Sequence, residues 1–173
     1  MSFFDLSGKT ALVTGASGGL GQGMSLALAA AGADIIAVSY MDSKDTVAKV
    51  EALGRKAYEI QADLSKPDEL EDVVKRALEF TGQIDILINN AGIIRRTPIS
   101  AHSWKDFDDV LDINLKTVFY MTQLVGNHMI SRGSGKIINI ASMLSFQGGI
   151  NVPGYTASKH GVAGLTKAFA NEW

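Results

Sequence analysis

Short apolar runs alternate with longer amphipathic stretches along the chain. Strands that are buried on both faces need nearly continuous hydrophobicity and favour β-branched residues. Runs of this kind cover Lys9–Thr14, Asp34–Ser39, Ala57–Ala62, Ile84–Asn89 and Lys136–Ala141. Strands that alternate with helical stretches are typical of βαβ units around a parallel sheet. The pattern therefore predicts an α/β fold with a doubly wound parallel sheet between two layers of helices.

The stretches between these runs repeat apolar residues at helical spacing. The first such helix begins near Leu20 and is ended by Gly32, and another carries an apolar stripe over residues 70–77. The segment from about Ser103 to Ser131 has the pattern of one long helix, and Asn114 lies on its apolar stripe.

A final helix begins near Gly154 and is still amphipathic at Trp173, where the sequence stops. No cap or turn residue follows Trp173, although helices normally end at such signals. We therefore expect a C-terminally truncated chain in which residues 1–173 form a single domain that lacks its last strands.

The composition excludes several classes of protein. The 16 basic and 18 acidic residues are mixed along the chain, so no basic surface is available for a nucleic-acid backbone. Without cysteines, and with three scattered histidines, the sequence offers no disulfide and no metal site. No apolar run approaches the ~18 residues of a membrane span, and no signal peptide is recognisable. We expect a cytoplasmic protein that binds neither metal, membrane nor nucleic acid.

A glycine-rich turn, Thr14–Gly21, lies between the first strand and the first helix. Glycine lets the backbone approach a phosphate closely, and a helix N-terminus offers free N–H groups and a partial positive charge. A turn that merely connects strand and helix is the alternative. The flanking strand and helix favour a dinucleotide pyrophosphate site formed by Gly15, Ser17, Gly19, Leu20 and Gly21.

Tyr155 and Lys159 are spaced so that they share one face of the final helix. A free phenol titrates near pH 10, so a phenol that works near neutral pH needs a nearby cation such as a lysine. A surface pair without function is the alternative. The position of Ser142 favours a catalytic role for this pair, because Ser142 follows the last strand at the sheet edge where α/β proteins bind ligands. Asn114 is either a further functional residue or a hydrogen-bonded core amide.

These motifs together resemble those of the short-chain dehydrogenase/reductase family. The resemblance implies a Rossmann-type fold, an NAD(P)-dependent oxidoreductase acting on CH–OH groups of a small molecule, and a homo-oligomer, by analogy a tetramer. It implies that Tyr155 is the general acid/base and that Lys159 lowers its pKa and binds the nicotinamide ribose. Ser142 would orient the substrate, and Asn114 would hold a water in a proton relay to Lys159.

The same resemblance implies further cofactor contacts at the ends of two other strands. Asp63 and Leu64, after the third strand, occupy the position that contacts adenine. The segment after the fourth strand matches the family's Asn-Asn-Ala-Gly sequence, and its cofactor-binding candidates are Asn90, Ala91 and Gly92.

The residue that ends the second strand usually selects between NAD and NADP. Ser39 and Tyr40 stand there and are neither the carboxylate typical of NAD binding nor the arginine typical of NADP binding. Asp42 would repel a 2′-phosphate, although Lys44 is close to it in sequence. We expect NAD, and NADP stays open.

The segments Ile137–Ile150 and Gly92–Arg96 look like those of family members that oxidise sugar acids such as 2-deoxy-D-gluconate. An arginine fork suits a carboxylate, so Arg95 or Arg96 is a candidate for binding it, as is Gln147 for the substrate. A solvated basic pair is the alternative for the arginines. Alternatives for the whole chain are a 3-oxoacyl thioester reductase of the same family and a truncated, non-catalytic dinucleotide-binding fragment.

Overall fold

The computed structural model describes residues 4–173, in which strands and helices alternate. The strands are β1 (Thr10–Thr14), β2 (Asp34–Ser39), β3 (Ala57–Gln61), β4 (Ile86–Asn89) and β5 (Lys136–Asn139). The helices are α1 (Gly19–Ala30), α2 (Lys44–Ala52), α3 (Pro67–Thr81), α4 (Trp104–Leu111), α5 (Thr117–Ser131) and α6 (Pro153–Glu172). Every strand predicted from the hydrophobic runs is present, with slightly shorter ends in most cases.

All neighbouring strands run parallel, in the order β3-β2-β1-β4-β5. The chain begins in the middle of the sheet, builds outward to β3, and then returns to place β4 on the other side of β1. This arrangement confirms the predicted doubly wound, Rossmann-type α/β fold. The reversal creates a crevice at the carboxyl ends of β1 and β4, where folds of this class bind their ligands.

The core lies on both faces of the sheet. On one face, strand residues such as Leu12 and Leu87 pack with Leu70 of α3 and Met121 of α5. On the other face, Val13, Ile35 and Ile88 form a cluster with Ala29 of α1 and Val50 of α2. Every residue of β1 is buried, which explains why its central residues, 11–13, are continuously apolar rather than alternating.

Two helical features differ from the sequence-based expectation. Helix α2 has little apolar signal because its buried residues are Thr46 and Val50. The predicted single helix over 103–131 is wrong in one respect: a π-helical segment, Asp112–Lys116, separates α4 from α5. The apolar stripe continues through this segment, so periodicity alone does not reveal the change in hydrogen bonding.

Among residues 4–173, no helix is long and apolar enough to cross a bilayer. The same residues contain no group of three His, Cys, Asp or Glu side chains that could hold a metal ion. The cytoplasmic location and the homo-oligomer stay predictions.

Candidate active site

The glycine-rich turn leaves the N-terminus of α1 open. Gly18 caps this helix without a side-chain hydrogen bond, and the first turn contains no acidic residue. Gly19 has a φ of +54°, and a Cβ at either glycine would meet nothing within 4 Å. The first N–H groups of α1 therefore face open space with their partial positive charge, which fits a dinucleotide pyrophosphate. The backbone of Gly19, Leu20 and Gly21 can hold it, whereas the Ser17 N–H is donated to Ser39 Oγ and Ser17 can contribute its hydroxyl group.

Gly15 and Gly21 have a packing role beside Asn90. A Cβ on Gly15 would lie 2.8 Å from Asn90 Nδ2, and one on Gly21 would lie 2.0 Å from the Gly15 carbonyl oxygen. Asn90 Nδ2 donates to the carbonyls of Thr14 and Gly15 at 3.0 and 3.3 Å. Thr14 Oγ1 accepts the backbone N–H groups of Asn90 and Ala91, each at 3.0 Å. These contacts fix the loops after β1 and β4 against each other.

A cavity of about 260 Å³ adjoins this turn at the carboxyl edge of the sheet. Asp63 is kept in place there by Ser65, whose hydroxyl donates to it at 2.7 Å and lowers the pKa of the carboxyl group. Six of the predicted cofactor contacts line this cavity, namely Gly15, Ser17, Asp63, Leu64, Ala91 and Gly92. A larger groove of about 710 Å³ lies beside β5 and includes no candidate residue.

Tyr155 and Lys159 lie close together on α6. The Nζ atom of Lys159 is 5.6 Å from the centroid of the Tyr155 ring. Lys159 is only 5% exposed, and its Nζ donates to the Ile140 carbonyl at 2.5 Å. No carboxylate within residues 4–173 forms an ion pair with it, and burial lowers the pKa of its ammonium group. The result is a buried cation without a counter-charge beside a phenol, a combination typical of functional sites.

Ser142 follows β5 and caps a short 3₁₀ turn, Met143–Ser145. Its Oγ accepts the Leu144 N–H at 3.2 Å. A hydroxyl group has one proton and two acceptor positions, so the proton of Ser142 stays available to a substrate oxygen. Ser145 Oγ accepts the Ser142 N–H at 3.2 Å and donates to the Lys159 carbonyl at 2.8 Å.

Asn114 lies in the π-helical segment and is fully buried. Its Oδ1 accepts the Ile93 N–H at 2.8 Å, and its Nδ2 donates to the Ile93 carbonyl at 2.9 Å and to Ser158 Oγ at 3.3 Å. Ser158 Oγ in turn donates to the Tyr155 carbonyl at 2.8 Å. Both amide protons are thus used in linking the loop after β4 to α6, which supports the core-amide alternative. A water relay at Asn114 stays a prediction.

The candidate substrate residues lie on two loops joined by a hydrogen bond from the Thr97 N–H to the Asn151 carbonyl, at 2.9 Å. Arg95 Nε is 3.5 Å from an Asp106 carboxylate oxygen. Arg96 and Gln147 are both exposed, and Arg96 forms no ion pair among residues 4–173. In the structure, therefore, Arg95 is held by an ion pair, whereas Arg96 forms none among the described residues.

Known proteins match this arrangement over nearly the whole chain. The short chain dehydrogenase family matches residues 9–173. This chain belongs to the short-chain dehydrogenase/reductase family. It is therefore a member of a family of nicotinamide-dependent oxidoreductases, as the residue motifs predicted.

Within the short-chain dehydrogenase/reductase family, the similar proteins have related names. The 2-dehydro-3-deoxy-D-gluconate 5-dehydrogenase of Escherichia coli is 53% identical over 100% of this chain and 69% of its own length. That of Bacillus subtilis is 56% identical over 98% of this chain and 67% of its own length. A structure described as a 2-deoxy-D-gluconate 3-dehydrogenase of Agrobacterium tumefaciens, with bound NADP, has a TM-score of 0.90 and 44% identity, covering 100% of this chain and 69% of that one.

Three serines of this short-chain dehydrogenase have supporting roles at the site that the sequence analysis did not predict. Ser39, at the end of β2, accepts the Ser17 N–H at 2.9 Å and so supports the glycine turn. Ser145 and Ser158 connect Ser142 and Asn114 to α6. Ser158 had a sequence signal, because it directly precedes Lys159. Ser39 and Ser145 make contacts between distant segments, which no local spacing encodes.

Proposed function

We propose that this chain catalyses the reversible oxidation of a secondary hydroxyl group on a sugar acid to a ketone. The observation that carries the proposal is the buried ammonium of Lys159, which has no carboxylate partner among residues 4–173 and lies 5.6 Å from the centroid of the Tyr155 ring. An unpaired buried cation costs stability, and a phenolate beside it gains from the charge. The names of the similar proteins support a sugar acid as the substrate class.

In this mechanism Tyr155 moves the proton. Its phenolate oxygen accepts the proton of the substrate hydroxyl during oxidation and returns it to the carbonyl oxygen during reduction. The Lys159 ammonium stabilises the phenolate, and the free proton of Ser142 forms a hydrogen bond to the same substrate oxygen. When bound, the nicotinamide ring takes up or returns the two electrons and the hydrogen of the substrate carbon.

The substrate carboxylate is assigned to Arg96. The guanidinium of Arg95 is drawn toward Asp106 at 3.5 Å, whereas Arg96 is exposed and unpaired among the described residues. An unpaired guanidinium can present two N–H groups to a carboxylate. Replacing Arg96 by alanine should raise KM for a sugar acid more than for a neutral ketone, and Arg95→Ala should show a smaller difference. Equal effects on both substrates would remove this assignment.

For the cofactor we propose NADP in place of the NAD that the sequence favoured. The repulsion expected from Asp42 is reduced, because its carboxylate forms a 2.8 Å ion pair with Lys44 and also accepts the Lys44 N–H. The Lys44 side chain is 79% exposed, so its ammonium group can contact a 2′-phosphate while it stays paired with Asp42. The NADP in the similar Agrobacterium structure supports this choice. Lys44→Gln should lower kcat/KM for NADP and leave that for NAD unchanged, whereas a clear preference of the unmodified chain for NAD would refute the proposal.

The decisive experiment compares wild type with Tyr155→Phe in an absorbance assay of nicotinamide reduction and oxidation. The panel contains sugar acids, neutral ketones and 3-oxoacyl thioesters with both dinucleotides. We expect activity on sugar acids that falls by ~10²–10⁴-fold in the variant, the usual contribution of a general acid/base. Activity that survives the substitution contradicts the mechanism. A preference for thioesters would favour the reductase alternative, and cofactor binding without turnover would favour the non-catalytic fragment.

A further inference from the structure

The segment from Ile140 to Ser145 contacts Lys159 at two points, the ammonium group of its side chain and its backbone carbonyl group. The Nζ atom of Lys159 donates to the Ile140 carbonyl at 2.5 Å, and the Lys159 carbonyl accepts the proton of Ser145 Oγ at 2.8 Å. Ser145 Oγ also accepts the backbone N–H of Ser142 at 3.2 Å. Ser145 is 5% exposed, and its single hydroxyl proton is used in the bond to Lys159.

We propose that Ser145 is a positioning residue, which fixes the loop after β5 against α6. This inference rests on the proposed function. The loop carries Ser142, the donor to the substrate oxygen, and α6 carries Tyr155 and Lys159. Because Ser145 is buried, it acts through these neighbours and not by contact with substrate.

The other hydrogen bonds at this junction do not replace the one from Ser145. The bond of Ser142 Oγ to the Leu144 N–H is local and does not connect the loop to α6. The bond from Lys159 Nζ to Ile140 is given up whenever the ammonium turns to another partner. The bond from Ser145 is made to the Lys159 backbone, so it persists through such a movement. A misplacement of about 1 Å between reacting groups can cost ~10²-fold in rate.

The experiment compares Ser145→Ala with Thr81→Ala, a matched loss of a side-chain hydroxyl that bonds backbone carbonyls. Thr81 Oγ1 donates to the carbonyls of Ala77 and Gln83 at 2.9 and 2.8 Å, at the far end of α3. Turnover of a sugar acid is measured for the wild type, for both variants and for Tyr155→Phe. We expect Ser145→Ala to lower kcat by ~10- to 100-fold with KM for the dinucleotide nearly unchanged, and Thr81→Ala to keep wild-type kcat.

Wild-type kcat in Ser145→Ala, together with an inactive Tyr155→Phe, overturns the positioning role and leaves the proposed function standing. A wild type without activity on sugar acids overturns the proposed function instead, and an active Tyr155→Phe overturns the mechanism proposed for it. Two further variants separate the hydroxyl from side-chain size and serve if the alanine variant does not fold. Ser145→Thr retains the hydroxyl and should keep most of kcat, whereas Ser145→Cys has a weak donor and should lose it. Equal kcat in these two variants would also overturn the positioning role.

Discussion

The two edges of the sheet hold a buried charge in opposite ways. At the amino edge, Asp85 is 5% exposed, and its carboxylate accepts the Thr10 N–H and an Arg132 N–H, each at 3.0 Å, with Lys9 Nζ at 3.6 Å. At the carboxyl edge, Lys159 is buried to the same extent, and its partner is one backbone carbonyl. The first charge is compensated by the fold, and the second is not.

The pKa of both groups is lowered, but the lowering has opposite meanings. Burial acts to raise the pKa of Asp85, and the Thr10 N–H, Arg132 and Lys9 together outweigh it. Burial lowers the pKa of Lys159 directly. The fold therefore favours the charged form of Asp85 and disfavours the charged form of Lys159. A protein that retains a disfavoured charge commonly does so at a functional site.

The largest effect should come from removing the uncompensated charge. Lys159→Met should lower kcat by ~10²–10⁴-fold, because the phenolate loses its cation. Its unfolding free energy should stay the same or rise, since the lost bond to Ile140 is offset by removal of a buried charge. Lys167→Met, an exposed change on the same helix, is the control for both measurements. A Lys159→Met variant with wild-type turnover would show that the charge has no catalytic use.

A smaller effect is expected at the amino edge, where the unfolding free energy should fall and kcat should not change. Asp85→Ala leaves Arg132 and Lys9 without their anion and should lower the unfolding free energy by ~3 kcal/mol, while kcat of the folded protein is retained. The control is Asp72→Ala, because Asp72 is 58% exposed and forms only a surface pair with Arg76. Its cost should be below ~0.5 kcal/mol. Urea unfolding measures both variants, and equal costs would mean that burial of the ion pair is irrelevant.

The smallest effect is the pH dependence of stability, and it separates the two edges by pH range. The contribution of Asp85 is present above its unfolded pKa, near 4, and is lost as the pH falls through its lower folded value. The cost of the Lys159 charge is present below its lowered folded pKa and disappears as the pH rises toward about 10.4. Wild type should therefore differ from Asp85→Asn in its acid profile and from Lys159→Met in its alkaline profile. Parallel profiles for all three proteins would contradict the comparison.

The centre of the sheet was predictable because β1, β2 and β4 are buried on both faces, so a hydrophobic run alone marks each of them. Helix α2 was not, since it is attached to the core largely through polar contacts. Thr46 Oγ1, for example, donates to the Ala16 carbonyl at 2.7 Å. The π-helical segment was missed because it changes the hydrogen-bonding pattern while the apolar stripe continues.

The residues of the candidate site also fall into two groups, those that local sequence spacing predicts and those that it does not. Tyr155 and Lys159 were predictable because their partnership follows from spacing on one helix. Asn114 was predictable as a buried amide, but its partner Ile93 comes from a distant loop. Ser145 gave no signal, since its role depends on how closely two elements approach in the folded chain. Local spacing predicts chemistry within an element, and tertiary approach decides how elements are held together.

The π-helical segment Asp112–Lys116 also constrains how this chain can change in length. A π turn contains one residue more than the α-helical turn it replaces, so deleting one residue there would restore ordinary helical hydrogen bonding. The widened turn absorbs its extra residue, so α4 and α5 would keep the faces with which they pack on α6 and α3 after such a deletion. What the deletion would remove is the bulge that carries the buried Asn114. A one-residue gap at 112–116 in an alignment would therefore mark relatives that have lost the Asn114 connection, even where both helices are retained.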